Sequence, residues 1–154
     1  MKRRIICFIF AVMLSLSSIL CSCQEQTPEF VPPPFDPAAV VGIPEVPDGL
    51  GYGELDARGA YKFSVCGMVK VVDGKADIWF TSSEDNDVWL KLRIQDKNGN
   101  ILGETGLIKP GEYVQTVTFI DPPAPGTEIV LRVMGYEPDT YYSAGEAKLN
   151  TRAF

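Results

Sequence analysis

The chain has 154 residues, a formal net charge of −6 and no histidine. That length holds one ordinary domain plus a targeting segment, and the acidic balance excludes the basic surface that nucleic acids require. Without imidazole there is no Ser-His-Asp arrangement and no thiolate–imidazole pair.

Lys2, Arg3 and Arg4 form a short basic region, and residues 5–20 are apolar apart from three serines. Sixteen such residues are too few for a stable spanning helix, which needs about 20, and they read as a signal peptide over residues 1–22. Losing that segment removes three positive charges and takes the net charge to −9. The run ends in Leu20-Cys21-Ser22-Cys23. This tetrad resembles the lipobox of bacterial lipoproteins, with Leu20 at −3, Ser22 at −1 and Cys23 as the acceptor. The alternative acceptor, Cys21, would place the bulky Leu20 where the peptidase reads a small residue. The resemblance implies a diacylglycerol on Cys23 and a further acyl chain on the new amino terminus. It also implies an extracytoplasmic address, anchored to the cell membrane, or to the outer membrane if the envelope is Gram-negative. Each buried CH₂ contributes about 0.8 kcal/mol, so two or three chains hold where one is marginal. It covers only the first two dozen residues and speaks of address alone.

Residues 23–58 then read as a lipid-attachment cysteine followed by a spacer. Seven prolines lie at 28, 32, 33, 34, 37, 44 and 47, with no periodic apolar pattern between them. Such a stretch favours extended polyproline II backbone and stands as a semi-rigid tether.

Residues 59–154 form the predicted domain. Short runs rich in β-branched and aromatic residues alternate with turn residues, and no stretch keeps a helical period. Residues 62–72 lead to Asp73-Gly74 and return as 75–82, a two-residue hairpin whose turn suits positive φ. In residues 88–95, Val88, Leu90, Leu92 and Ile94 fall on one face and Trp89, Lys91, Arg93 and Gln95 on the other. A second hairpin around 96–100 leads to 101–106, and further strands are predicted at 113–120, 127–136 and 146–152. The pattern predicts an all-β, seven-stranded Greek-key sandwich of immunoglobulin or fibronectin type III kind. The expected core is Ile78, Phe80, Val88, Leu90, Leu92, Ile94, Ile129, Leu131, Val133 and Leu149, enough for a domain of this size without a disulfide. The architecture carries no functional residues with it.

Cys66 is left unpartnered once Cys23 is lipidated and reads as a small buried hydrophobe. Asp96-Lys97-Asn98-Gly99-Asn100 opens like a calcium loop, but Ile101 and Leu107 stand where an EF-hand needs Gly and Glu, so it reads as a turn. Glu84, Asp85, Asn86 and Asp87 form either a solvated acidic loop or a weak cation site. Neither a catalytic set nor a metal set emerges, and no cofactor is implied. By strand alternation Trp89, Met134 and Tyr136 lie off the core face of neighbouring strands, with Tyr141 and Tyr142 on the loop beyond. They form either an exposed platform for a sugar or protein partner, or aromatics packed under a loop or the spacer. The expected function is therefore a non-enzymatic, membrane-anchored module binding a surface protein or glycan. The alternative is an accessory subunit of an envelope assembly.

Overall fold

Period-2 burial dominates the chain. In the strand Trp89–Asp96 the residues Leu90, Leu92 and Ile94 are fully buried, while of the alternate residues Trp89, Arg93 and Gln95 keep contact with solvent and Lys91 is buried. The computed structural model describes residues 30–154, of which Pro32–Phe154 form one compact unit. Leu20, Ser22 and Cys23 lie outside the described residues. Ten strands follow in order: β1 Val40–Val41, β2 Tyr52–Asp56, β3 Lys62–Cys66, β4 Val71–Val72, β5 Lys75–Ser82, β6 Trp89–Asp96, β7 Ile101–Glu104, β8 Glu112–Thr118, β9 Glu128–Tyr136 and β10 Ser143–Arg152. Among the described residues there is no helix, hence none long and apolar enough to cross a membrane.

The strands form two antiparallel sheets. The first has the order β1-β8-β5-β3-β2, with β4 paired to β5, and the second has the order β10-β9-β6-β7. Four hairpins lie within sheets, β2–β3, β4–β5, β6–β7 and β9–β10, while β5 to β6, β7 to β8 and β8 to β9 cross between sheets. This is the Greek-key sandwich that the spacing of turn residues predicts. At the first hairpin Asp73 and Gly74 both have positive φ, 49° and 73°, as a type I′ turn requires. Nine of the ten expected core residues are buried, and Leu149, on the edge strand β10, is half-buried against the same cluster. A buried leucine or phenylalanine contributes about 1.5–3 kcal/mol, so this one cluster supplies the driving force for joining the two sheets.

Two departures from the sequence reading matter. The first concerns the spacer. Residues 34–56 belong to the folded unit: β1 pairs Val40 with Tyr113, β2 pairs Leu55 with Phe63, and a strap at 34–36 bridges to Leu107. Proline lacks a donor but keeps its carbonyl, so Pro34 O accepts from Leu107 N at 2.9 Å and Asp36 N donates to Leu107 O at 2.8 Å. Short edge strands tolerate flanking prolines, and proline composition therefore concealed them. The domain thus begins near residue 32 rather than 59.

The second is in β5, where the register with β8 shifts between Asp77 and Phe80. Trp79 sits there at φ 48°, buried and stacked on Tyr113 with centroids 6.0 Å apart. A bulge bends the strand and inserts a residue that simple alternation cannot place.

Candidate functional site

Trp89 opens β6, and its cross-strand partner on β9 is Tyr136, with Lys91 opposite Met134 two pairs further along. The pairing expected from alternation is thus realised on the outer face of the second sheet. The surroundings of Trp89 come from three separated parts of the chain. The Phe35 ring of the strap meets it at 4.8 Å and 73°, and the Tyr141 ring meets it at 5.3 Å and 62°, both edge-to-face. Such pairs contribute about 0.5–1.5 kcal/mol beyond area burial. Lys109 Nζ stands 4.9 Å from the Phe35 centroid, adding a cation–π contact.

The strap holds Phe35 in place through close backbone approach. Gly106 N donates to Asp36 Oδ2 at 2.7 Å, and a Cβ on Gly106 would lie 2.5 Å from Asp36 N. Only glycine admits the strap at that spacing. On the other side, Tyr141 and Asp139 have φ of 58° and 64°. Left-handed backbone at non-glycine residues costs on the order of 1–3 kcal/mol each. The loop meets that cost with Glu137 N to Tyr142 O at 2.8 Å, Tyr141 N to Glu137 O at 3.0 Å, and the Thr140 hydroxyl on Glu137. The result aims Tyr141 at Trp89 and leaves Tyr142 71 % exposed.

The five residues predicted for the platform therefore separate. Trp89 and Tyr136 are half-buried, Tyr141 packs against Trp89, and Tyr142 points outward. Met134 must be corrected: it is only 8 % exposed, so it offers no contact surface. It sits on a central strand between Lys91 and Glu146, and its sulfur accepts from the Tyr136 hydroxyl at 3.8 Å. Phe35 and Lys109 complete the cluster and escape sequence reasoning, since a single aromatic in a proline run announces no partner. The sequence left open both a platform and packing against the spacer; Trp89 is in fact packed by the strap and the loop, with Tyr142 standing clear.

Beyond the aromatics the same face is a ladder of ion pairs. Glu104 accepts from Lys91 at 2.8 Å and from Arg93 at 2.7 Å; Glu146 pairs with Arg132 and with Lys148. Burial raises the Glu104 pKa, but hydrogen bonds and charge from Lys91 and Arg93 outweigh it and hold the carboxyl below the usual range. Glu146 is likewise held low, first by the Lys148 hydrogen bond and then by Arg132.

The remaining candidates are committed to structure. Asn86, within the acidic loop, accepts from Lys62 N at 2.8 Å and donates to Lys62 O at 2.7 Å, splicing that loop to β3. Asp96 accepts from the Asn98 and Asn100 amides, both at 2.8 Å; the Asn100 side chain is the main cause of its lowered pKa. Its oxygens close the hairpin on themselves. Among the described residues no three acidic, cysteine or histidine side chains gather as a metal site would. Cys66 is buried, and burial, reinforced by Asp77, pushes its thiol up to about 11. A thiol so shifted is a poor nucleophile.

No protein-family model matches the chain, and no curated protein matches it. Among solved structures the chain is similar to CopC from Methylosinus trichosporium OB3b, at 16% identity and a TM-score of 0.35, over 66% of this chain and 92% of that one.

Proposed function

We propose that this protein is a lipid-anchored extracytoplasmic interaction module. In this reading Cys23 carries the lipid, and the aromatic end of the β6–β9 face engages a surface protein or glycan without catalysis. The observation that carries the reading is the convergence of Phe35, Trp89 and Tyr141, from three distant segments, beside a Tyr142 that is 71 % exposed. Two strained backbone positions and an obligatory glycine go into that assembly. A rigid aromatic group with a polar rim suits the apolar faces of sugar rings or an anchor residue of a partner protein.

Two further features support it. Among the described residues the carboxylates whose acidity departs from the ordinary, Asp96, Glu104 and Glu146, all shift downward. A general acid at neutral pH needs the opposite shift. The docked strap also shortens the tether. Only residues 24–33 separate Cys23 from the strap, a span of at most about 35 Å at full extension. In this reading that length is the upper limit on the distance between a lipid on Cys23 and the strap.

The experiment has two arms. Intact mass and detergent partitioning of the wild type beside Cys23→Ala test the anchor. Glycan and peptidoglycan pull-down, together with co-purification from solubilised membranes, test the site with Trp89→Ala and Tyr142→Ala. Loss of the partner in both variants is the expected result, with the melting temperature unchanged in Tyr142→Ala and lowered, with the fold retained, in Trp89→Ala, which gives up two ring pairs. Undiminished capture in both sinks the aromatic site whatever the lipid result.

A further inference from the structure

The two sheets are unequal in width, and the difference falls at one edge. Tyr61, just before β3, reaches across to donate to Val133 O at 3.0 Å and Gly145 O at 3.3 Å, and Thr151 donates to Gly67 O, just after β3, at 2.7 Å. Strand β3 therefore lies over the β9–β10 pair. The first sheet continues past it to β2, whereas the second ends at β10.

The consequence appears at Leu55. Its cross-strand partner is Phe63, so both side chains point to the inner face of the first sheet. Phe63 is 1 % exposed and Leu55 is 37 % exposed. Gly53, opposite the buried Val65, is exposed as well. Among the described residues no strand lies beneath the inner face of β2.

The backbone of β10 is set to receive one. Leu90 and Ile108 exchange both hydrogen bonds, and Leu92 O accepts from Thr105 N, so even-numbered residues of β6 face β7 and odd-numbered ones face β9. Carried through the register of β9, this turns Leu131 and Val133 toward β10, where they meet Leu149 and Ala147. The bond from Ala153 N to Thr127 O has the same phase. Glu146, Lys148 and Asn150 consequently direct their N–H and C=O groups away from β9. No strand among the described residues pairs with that edge. The window is closed at one end by the bulge between Ser143 and Glu146. At the other end, residues 69–71 hydrogen-bond to Phe154.

We propose that this step binds an extended segment of another polypeptide, which adds a fifth strand to the second sheet beside β10 and beneath β2. Its alternate side chains would be apolar, to cover Leu55 and the exposed flank of Leu149. On the outer face an acidic residue would meet Lys148, whose side chain is 55 % exposed. A second copy of this domain does not fit the step, because pairing β10 with β10 about a two-fold axis would bring two overhanging β2 strands into the same space. Strand addition of this kind takes affinity from main-chain bonds and specificity from alternate side chains. The site is separate from the aromatic end and does not depend on the lipid anchor.

The test uses full-length protein in detergent and a short capped peptide of alternating valine and threonine with a central glutamate. The readout is backbone amide spectra and hydrogen exchange. The expected result is saturable protection of residues 146, 148 and 150 with a shift at Leu55. Lys148→Pro removes an N–H that bonds nothing inside the domain, as edge strands tolerate. It should keep the fold's own spectrum and weaken the peptide about tenfold or more. Leu55→Asp, with the edge backbone intact, should weaken it too, and decides alone if the proline variant unfolds. No response at these residues would overturn the proposal, as would a response undiminished in the folded variants. Concentration-dependent protection of the same amides without peptide would also overturn it, by assigning the edge to a second copy.

Discussion

Gly106→Ala tests whether the strap is a seated part of the fold. The new Cβ would lie 2.5 Å from Asp36 N, 2.6 Å from Asp36 Cα and 2.8 Å from Phe35 C, all backbone atoms that cannot turn aside. The backbone of Gly106 is not in the left-handed region, so the substitution acts through the collision alone. Overpacking of this kind costs about 1–3 kcal/mol if the strap stays. If it leaves, three hydrogen bonds break at about 1 kcal/mol each, with roughly 0.5–1.5 kcal/mol from the Phe35–Trp89 ring pair. Against that, about three or four residues regain backbone freedom at roughly 1–2 kcal/mol each. The entropy regained is comparable to the interaction energy given up, so release is the easier path. Global stability should fall by no more than about 1–3 kcal/mol while the local effect is complete. In a Trp79→Phe background, leaving Trp89 as the reporter, emission should shift to the red and a protease should cut near residues 34–39. Chemical denaturation should show a single transition at a slightly lower midpoint. Unchanged Trp89 emission together with unchanged protease resistance would refute the seating of the strap against Gly106.

Two further outcomes follow from the ion pairs and from Tyr61. Glu104→Gln leaves the Lys91 ammonium, 5 % exposed, without its counter-charge. Breaking a fully buried pair costs about 3–5 kcal/mol, and the one-third exposure of Glu104 reduces this to about 1–3 kcal/mol in urea denaturation, whereas Lys91→Met should be close to neutral. Since Glu104 titrates below its ordinary 4.5 in the fold, its contribution is present above that pH and lost as pH falls through the folded value; the variant should show a flatter acid limb. Tyr61, pushed up to about 12 by burial and then by Glu146, behaves oppositely. Its contribution is complete below pH 10 and lost as pH rises toward 12, so Tyr61→Phe should cost about 1 kcal/mol at neutral pH and abolish that alkaline loss in thermal melts.

The parts of the fold legible beforehand were those where the covalent period does the specifying. A strand buried on one face must alternate, and a one-residue slip would turn Leu90, Leu92 and Ile94 outward, so β6 could be read directly. Asp73-Gly74 could be read because few residue pairs accept two positive φ angles in succession. Strand β5 was legible in extent but not in detail: Trp79 enters at a bulge, and three consecutive buried residues, Ile78 to Phe80, break the alternation. Strands β1 and β2 were illegible for a different reason. Their sequences, Val40-Val41 and residues 52–56, are short and proline- or glycine-flanked, and what makes them strands is an edge of another sheet to pair with.

The candidate site shows the same division more sharply. Trp89 and Tyr136 meet because both are outward positions on adjacent strands, which alternation can express. Phe35 meets Trp89 because Gly106 lacks a side chain and Asp36 caps it, a relation between residues some 70 positions apart. Burial of Met134 is likewise a property of its neighbours, Lys91 and Glu146, rather than of its own position in a period. Half-exposure of Leu55 belongs to no local pattern at all, because among the described residues the opposite sheet ends at β10 and does not reach beneath it. In this domain, therefore, sequence periodicity locates the surface that is finished, and the places where contact with another molecule is expected are those where tertiary neighbours overrule it. The strap over Trp89 and the uncovered face of β2 are the two such places. The first is closed by the chain itself and leaves one tyrosine standing clear; the second is left open along a backbone edge whose hydrogen-bonding groups still need partners.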